Sequence, residues 1–438
     1  MNKNTLRLLV AVGMIALVLC SWYTLINDAQ KLNNEYMTQL NAARFKLEQG
    51  LYEDALDYFA AAMEQQDTIE LRDEIAQVYQ DNASGLAYES YLEDMVEAYP
   101  LEIRGYERLA AFYRDTQAFD SCFNIIETVA KRGMKSASID AIAQELAYAY
   151  DLDRCSAVEV TTFSSNFCAV KYKNGVWSYL YTNGGSYTSG TFQQAGPFTS
   201  SGLAPVQLKD GSFALIDNTG RHKSLSPKDL EIEECLPLLS GMMSVKYNGK
   251  YHYCDYNFQE LFGAYDYAGS FYGGYAAVME GEKWALIDES GKAVTDFIFE
   301  EIKMDDKGIA VRNGKAIAKL NGAYVLINTS GKQVGKDQWE DADAFNSDQI
   351  AAVCKNGKWG FVDIEGSVVV DYQYDGALSF ANGMAAIKVD EQWGYISSED
   401  FQIKIQPAFD DARDFSAGGT AFVKEGTKWR LLRIYRLT

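Results

Sequence analysis

Residues 351–383 read AAVCKNGKWGFVDIEGSVVVDYQYDGALSFANG, and this stretch decides the fold of the larger part of the chain. Asn356-Gly357 separates two apolar runs and is the strongest short signal for a β-hairpin, because both positions accept a positive φ. Trp359 and Phe361 fall on one face of the second strand, and the Gly and Val that alternate with them fall on the other. Apolar residues on both faces predict a strand buried between neighbouring sheets, with Trp359 filling the space between layers.

Two short patterns follow this hairpin, and both recur elsewhere. In a D-x-x-G turn the Asp side chain accepts backbone N–H groups and the Gly takes the left-handed conformation. In an A-x-x-F step the Ala permits close packing and the Phe fills the layer. The D-x-x-G turns begin at Asp217, Asp288 and Asp363, and the A-x-x-F steps begin at Ala195, Ala377 and Ala412.

A repeat built on one aromatic anchor extends over the C-terminal two thirds of the chain. The anchors are Trp177, Phe213, Tyr251, Trp284, Tyr324, Trp359, Trp393 and Trp429. They lie 33 to 40 residues apart, with a mean spacing of 36. This spacing predicts eight anchored hairpins.

Trp359-Gly360 and Trp393-Gly394 keep a Trp-Gly pair, and on these residues the unit resembles the bacterial WG repeat. Other copies keep only the Trp or replace it with another ring. The resemblance covers about residues 156–438 and implies a β-repeat architecture and a bacterial origin, without an established activity. The repeat fits a closed propeller of seven or eight blades, which we favour, or an open β-solenoid array. A partial unit at residues 158–163 and a last strand at residues 429–437 are expected to close the ring and remove exposed edges.

Residues 33–151 have helical spacing and few Gly or Pro residues. Ala43, Ala76, Ala110 and Ala143 recur at 33 or 34 residues. Around Ala43 the pattern of Gly50, Ala55 and Phe59 resembles a tetratricopeptide repeat, which implies an α-solenoid of helix pairs. This stretch carries 23 acidic and 9 basic residues, which favours either a solvated outer face or a groove for a basic partner protein.

The N-terminal segment at residues 8–26, LLVAVGMIALVLCSWYTLI, has no charged residue. Its length predicts a single transmembrane helix that contacts membrane lipid. Lys3 and Arg7 precede it, which predicts a cytoplasmic N-terminus and extracytoplasmic C-terminal domains. A lipoprotein signal cut before Cys20 and a removed signal peptide are the alternatives. The predicted domains are residues 1–32 (stub, anchor and connection), 33–151 (helical repeats) and 152–438 (β-repeats).

The chain of 438 residues has a net charge of −21, which argues against a nucleic-acid partner because phosphates would be repelled. His222 and His252 are the two histidines, and neither has a second histidine at ligand spacing. We therefore predict no metal, no cofactor and no catalytic residue, and we assign no binding residue. The seven cysteines are expected to be buried and reduced, with Cys155–Cys168 as one conceivable bridge. Asp217, Asp255, Asp288 and Asp363 are expected to cap turns.

These observations predict a membrane-anchored, outward-facing interaction or scaffold protein at the cell membrane, and not an enzyme. The helical array would bind a protein partner, and the β-repeat face a protein, glycan or cell-wall ligand. The alternative is a cell-wall or glycan hydrolase that uses carboxylates at the centre of the propeller. Two carboxyl groups in one central pocket, one of them with a raised pKa, would favour this alternative.

Overall fold

The computed structural model describes residues 3–82, 85–187 and 190–435, and side chains from residue 20 onward except residues 28 and 29. The described residues divide into two compact units, the first ending at Ala147 and the second beginning at Tyr148. The first unit is helical and the second is made of β-sheets.

The helical unit packs its helices in sequence along the chain. In the described part of this unit the helices are α1 (Lys3–Glu48), α2 (Tyr52–Gln65), α3 (Ile69–Asn82), α4 (Gly85–Ala98), α5 (Ile103–Asp115), α6 (Phe119–Lys131) and α7 (Ala137–Glu145). Ala43, Ala55, Phe59 and Ala62 are fully buried between α1, α2 and α3. Because the Ala side chains are small, the backbones of α1 and α2 can approach closely, as the sequence pattern predicts.

The structure contradicts the prediction of a transmembrane helix. Helix α1 continues without interruption through the apolar segment into the polar residues that pack on α2. No helix within the described residues is long and apolar enough to cross a bilayer. Part of the predicted anchor, residues 8–19, lies outside the described side chains. The predicted single-pass fold class and the predicted cell-membrane location with outward-facing domains are therefore not supported.

The second unit is an eight-bladed β-propeller, as its eight sheets show within the described residues. From inner to outer strand, the first four blades are β2 (Glu159–Val160), β3 (Phe167–Lys171) and β4 (Trp177–Tyr181); β5 (Gln194–Ala195), β6 (Leu203–Gln207), β7 (Phe213–Asp217) and β8 (His222–Leu225); β9 (Ile232–Cys235), β10 (Met243–Tyr247), β11 (Lys250–Cys254) and β12 (Glu260–Tyr265); β13 (Tyr267–Ala268), β14 (Tyr275–Glu280) and β15 (Lys283–Asp288). The last four blades are β16 (Glu301–Ile302), β17 (Lys315–Leu320) and β18 (Ala323–Asn328); β19 (Asp341–Ala342), β20 (Ile350–Lys355), β21 (Lys358–Asp363) and β22 (Val368–Tyr374); β23 (Gly376–Ala377), β24 (Met384–Val389), β25 (Gln392–Ser397) and β26 (Ile403–Phe409); β27 (Asp411–Ala412), β28 (Thr420–Glu425), β29 (Lys428–Ile434) and β1 (Tyr150–Arg154).

The ring closes in the eighth blade. Strand β1 from the start of the unit pairs antiparallel with β29 from its end, with Tyr150 opposite Ile434 and Arg154 opposite Arg430. Closure therefore uses residues upstream of the predicted partial unit at residues 158–163. Since the sheets close on one another, the favoured propeller is confirmed and the open array is wrong.

Each predicted anchor aromatic lies at or next to the start of the third strand of its blade, one anchor per blade. The side chain two residues later is buried in every blade, and it is an aromatic ring in four blades and Leu in the other four. Phe361 is 0 % exposed, whereas Trp359 is only partly buried against the same cluster. Phe361 and Val362 belong to different interblade clusters, which agrees with a strand buried on both faces.

The Gly of the Trp-Gly pair allows a close approach of the outer strand. A Cβ at Gly360 would lie 2.6 Å from the carbonyl oxygen of Val370, and a Cβ at Gly394 would lie 2.5 Å from that of Ile405. The third blade has His252 at this position, and the glycine is instead on the outer strand, where Gly263 pairs with His252. In these three blades one of the two strands lacks a side chain at the point where the outer strand bulges against its neighbour.

Candidate functional site

A cavity of about 480 Å³ lies where the inner strands of the propeller end. Its lining comes from six of the eight blades, which places it on the propeller axis. The lining residues of this axial cavity are Val160, Thr161, Thr162, Pro197, Met304, Asp305, Asp306, Asp343, Ala344, Asn346, Leu378, Arg413 and Asp414.

The A-x-x-F step explains why these residues face the axis. Ala342 and Phe345 are buried, and so are Ala412 and Phe415. The two residues between each Ala and Phe line the cavity instead, as Asp343-Ala344 and Arg413-Asp414 do. The Ala and Phe that recur at the ends of the step pack the blades, and its two middle residues supply the lining of the cavity.

The axial cavity is acidic. Asp305, Asp306, Asp343 and Asp414 face it from the fifth, sixth and eighth blades. The carboxylate of Asp343 accepts hydrogen bonds from the backbone N–H groups of Ala344 and Ser379, both at 2.8 Å. The carboxyl group of Asp414 accepts one from the Asn346 side-chain amide at 2.7 Å.

Enclosure changes the ionisation of two of these groups. Burial raises the pKa of Asp414 well above its usual value, and repulsion from Asp343 and Asp306 adds to the effect. Burial also raises the pKa of Asp343, although its two backbone hydrogen bonds act in the opposite direction. Both side chains keep some exposed surface, because they contact the cavity while protein surrounds them on the other sides. Low water content around a carboxyl group favours its neutral form.

The two arginines near the cavity already have acidic partners. Arg312 contacts Asp305 at 2.6 Å and lies over the ring of Tyr272 at 4.6 Å. Arg413 contacts Asp411 at 3.0 Å and lies over the ring of Trp429 at 4.5 Å. Among the described residues neither arginine forms an ion pair with Asp343 or Asp414.

A tongue from the fifth blade, residues 303–312, reaches across the axis. At its tip the backbone turns at Gly308 with φ +78. The carboxylate of Asp306 accepts a hydrogen bond at 2.9 Å from the hydroxyl of Thr162, which belongs to the first blade. A second cavity of about 190 Å³ shares Thr162, Asp306 and Asp414 with the axial cavity and is also lined by Lys307 and Arg312. The tongue tip thus lies between two compartments of one axial channel.

The residues singled out from the sequence lie away from this cavity. His222 is exposed on β8, and His252 on β11 stacks on Tyr247 at 4.1 Å and contacts Glu260 at 3.1 Å. The described residues contain no group of three or more His, Cys, Asp or Glu that could hold a metal ion. All seven cysteines are free thiols, so the conceivable Cys155–Cys168 bridge is absent.

The repeated turn aspartates accept hydrogen bonds from backbone N–H groups of their own turns. The carboxylate of Asp363 accepts the backbone N–H groups of Glu365 and Ser367 at 2.9 and 2.8 Å. The carboxylates of Asp217, Asp255 and Asp288 make the same pair of contacts in their own turns. The prediction that these residues cap turns is confirmed by these contacts.

The helical unit offers a separate surface. A groove of about 490 Å³ is lined by Tyr79, Tyr88 and Phe112, with Glu107 and Asp115 at its margin. Arg108, which also lines it, contacts Asp73 at 2.6 Å, so this cation has an acidic partner within the unit. Asp115 pairs with Arg114 at 2.7 Å, and the carboxylate of Glu107 accepts a hydrogen bond from the Ser136 hydroxyl at 2.6 Å. The groove therefore combines aromatic walls with one carboxylate, Glu107, that has no ion-pair partner among the described residues.

The comparison with protein families gives one match. The WG-containing repeat matches residues 253–284, 326–359, 359–393 and 393–429. Each matched stretch ends at an anchor Trp, so it covers the outer part of one blade and the inner part of the next. Among curated proteins none matches this sequence.

Several solved structures resemble the chain weakly. Sqt1 of Saccharomyces cerevisiae is 10% identical, with 66% of this chain and 98% of that chain covered and a TM-score of 0.41. The Dos1 propeller is 11% identical, with 66% and 95% covered and a TM-score of 0.40. Hsv2 of Kluyveromyces lactis is 10% identical, with 64% and 100% covered and a TM-score of 0.36. These likenesses carry no argument about function. The predicted WG β-repeat is confirmed over the four matched stretches, whereas a bacterial origin and the tetratricopeptide resemblance stay predictions.

Proposed function

We propose that this chain is a non-catalytic interaction protein whose propeller binds a positively charged segment of a partner protein at the axial cavity. One observation carries the proposal: Asp306, Asp343 and Asp414 face the cavity, and none of them has an ion-pair partner among the described residues. Carboxyl groups that share an enclosed site repel one another when ionised. A cationic side chain from a partner would relieve that repulsion.

The cavity wall suits a lysine or arginine side chain. Val160, Pro197, Met304 and Leu378 give it an apolar part that can pack on an aliphatic stem. The carboxyl groups lie beside these residues and can accept hydrogen bonds from an ammonium or guanidinium group. Because the pKa of Asp414 is raised, binding of a cation is expected to release a proton.

The test is a binding titration with the full chain. The probe is a short fluorescein-labelled peptide of alternating lysine and arginine, with a matched glutamine peptide as its control. We expect Asp343→Asn combined with Asp414→Asn to weaken binding about tenfold or more, and added salt to weaken the wild type. Asp363→Asn is the matched control, because that carboxylate serves only its own turn.

Calorimetry in buffers of different ionisation enthalpy measures the proton released. Equal binding of both peptides, or equal binding by the double variant, would contradict the proposal. If the double variant still releases a proton when it binds the peptide, the binding site lies elsewhere.

The helical unit is proposed as a second surface for a basic protein partner. The groove with Tyr79, Tyr88 and Phe112 and its acidic margin supports this assignment. A truncation that tests it must end before Tyr150, since β1 is the outer strand of the eighth blade. Loss of partner capture without loss of propeller stability is the expected result. A glycan or cell-wall ligand for the propeller remains a prediction.

A hydrolase is the second candidate, and the raised pKa of Asp414 favours it. A general acid needs a carboxyl group that stays protonated near neutral pH, and glycosidases pair such a group with an ionised one. Asp306, whose carboxylate accepts a hydrogen bond from the hydroxyl of Thr162, would be the second carboxyl group of the pair. Cleavage of a cell-wall glycan by the wild type and its loss in Asp414→Asn would support this reading over simple binding.

A further inference from the structure

The tongue of the fifth blade departs from the repeat pattern of the other blades, and it does so beside the acidic axial cavity. In the other blades with an A-x-x-F step, two residues separate the inner strand from the Phe. In the fifth blade the chain instead runs from Met304 into a turn that projects towards the axis. A departure from the repeat marks a position that the packing of blades does not require.

The tongue has a fixed base. The carboxylate of Asp305 accepts hydrogen bonds from the backbone N–H groups of Lys307 and Ile309 at 2.9 and 3.0 Å. Asp305 also pairs with Arg312, and the segment that follows the tip is buried at Ile309. The base is therefore held by the protein, and the tip residues Asp306 and Lys307 are presented to the channel.

The tip carries the cation that faces the acidic groups. No carboxylate of the described chain lies within ion-pair distance of Lys307, yet Lys307 lines the second cavity, of about 190 Å³, together with Asp306 and Asp414. It acts on Asp414 at longer range, since its charge lowers the pKa that burial and neighbouring carboxyl groups raise. Its flexible stem leaves the ammonium group free to change position.

We infer that Lys307 is a tethered counter-cation, which occupies the electrostatic position that a partner's cationic side chain takes and so competes with partner binding. This inference rests on the proposed function, because it assigns a regulatory role to the same cavity. Its physical basis is that one positive charge in an enclosed acidic site reduces the attraction for a second.

The experiment compares Lys307→Met, which keeps the aliphatic stem, with Lys332→Met. Lys332 belongs to the same blade, is exposed, and does not line either compartment. We expect Lys307→Met to bind the lysine–arginine peptide about tenfold more tightly than the wild type and Lys332→Met to bind it unchanged. A thermal unfolding curve for each variant verifies that the fold is kept.

A second readout does not depend on the peptide. A ¹³C NMR titration of labelled aspartate carboxyl groups is expected to move the Asp414 midpoint to higher pH in Lys307→Met and to leave it in place in Lys332→Met. If the wild type binds the peptide and Lys307→Met binds it equally or less tightly, the inference is overturned and the proposed function stands. If no variant binds the peptide, the proposed function fails, and the titration alone decides whether Lys307 neutralises Asp414.

Discussion

The interblade layers and the axial cavity use neighbouring residues for opposite purposes. In the sixth blade Ala342 and Phe345 are buried between blades, and in the eighth Ala412 and Phe415 are buried in the same way. The pairs between them differ from blade to blade and line the cavity. Residues that recur at the repeat spacing therefore report packing, and residues that vary inside the repeat report the site. The predictions below test this division in order of expected effect.

The largest loss of stability is expected from substitutions in the layer between blades. Phe361→Ala is expected to destabilise the protein by about 3–5 kcal/mol, because the ring is 0 % exposed and its removal leaves a cavity. Trp359→Ala is expected to cost about 1–2 kcal/mol, since only part of that ring is removed from water. Urea unfolding measures both. A larger loss of stability for Trp359→Ala than for Phe361→Ala would mean that Trp359 fills the space between layers, as the sequence predicts.

The close approach at the Trp-Gly pair is next. Gly394→Ala is expected to cost about 1–3 kcal/mol, because the new Cβ would lie 2.5 Å from the carbonyl oxygen of Ile405 and the outer strand must move. Gly418→Ala is the matched control, since its Cβ would meet other atoms no closer than 3.6 Å. Equal thermal midpoints for the two variants would mean that the outer strand yields without loss.

Two aspartates are expected to respond to pH with opposite signs. A hydrogen bond from Ser290 is the main cause that lowers the pKa of Asp288, so its stabilising effect is present above the unfolded value and lost as pH falls through the folded one. The pKa of Asp414 is raised, so its effect is greatest below the unfolded value and is lost as pH rises through the folded one.

Asp288→Asn should therefore flatten the acid side of the stability profile, and Asp414→Asn the side at higher pH. Urea unfolding between about pH 2 and pH 9 measures both profiles. If stability depended on pH in the same way in both variants, the expected electrostatic difference between the exposed turn at Asp288 and the axial Asp414 would be wrong.

The smallest effect concerns single hydroxyl groups. Thr162→Val removes the hydrogen bond to Asp306, and Thr219→Val removes an equivalent bond to Asp217 in an exposed turn. Each is expected to cost about 0.5–1.5 kcal/mol. Faster hydrogen exchange in the tongue of Thr162→Val, but not of Thr219→Val, would show that the contact across the ring restrains the tip.

Much of the propeller follows from local sequence, and its closure does not. Hairpins such as the one at Asn356-Gly357 are readable because turn residues and alternation occur together. Strand β1, YDLDR, has the alternation of apolar and charged residues, but it has no hairpin partner next to it in the sequence. Its partner is distant in sequence, so no local pattern reveals the pairing.

The sequence allows carboxylates at the centre of the propeller as an alternative, but it does not identify them. Asp343 and Asp414 each lie between the Ala and the Phe of an A-x-x-F step, and variation at those two positions is the signal that distinguishes a lining residue from a packing one. The tongue is recognisable only as an irregular repeat length around Lys307. The anchor predicted at residues 8–26 is not supported, because no helix of the described residues is long and apolar enough to cross a bilayer.

Ring closure by β1 also sets an order of assembly. Tyr150 must wait for Ile434, which leaves the ribosome 284 residues later. At about 5–20 residues per second this delay is on the order of 15–55 s. During that time the other three strands of the eighth blade are not yet complete, and β1 has an unpaired edge that other strands can meet. Blades one to seven are each built from consecutive strands and can form in order, but the propeller becomes a ring in a single late step, so β1 is open to mispairing until β29 has been made.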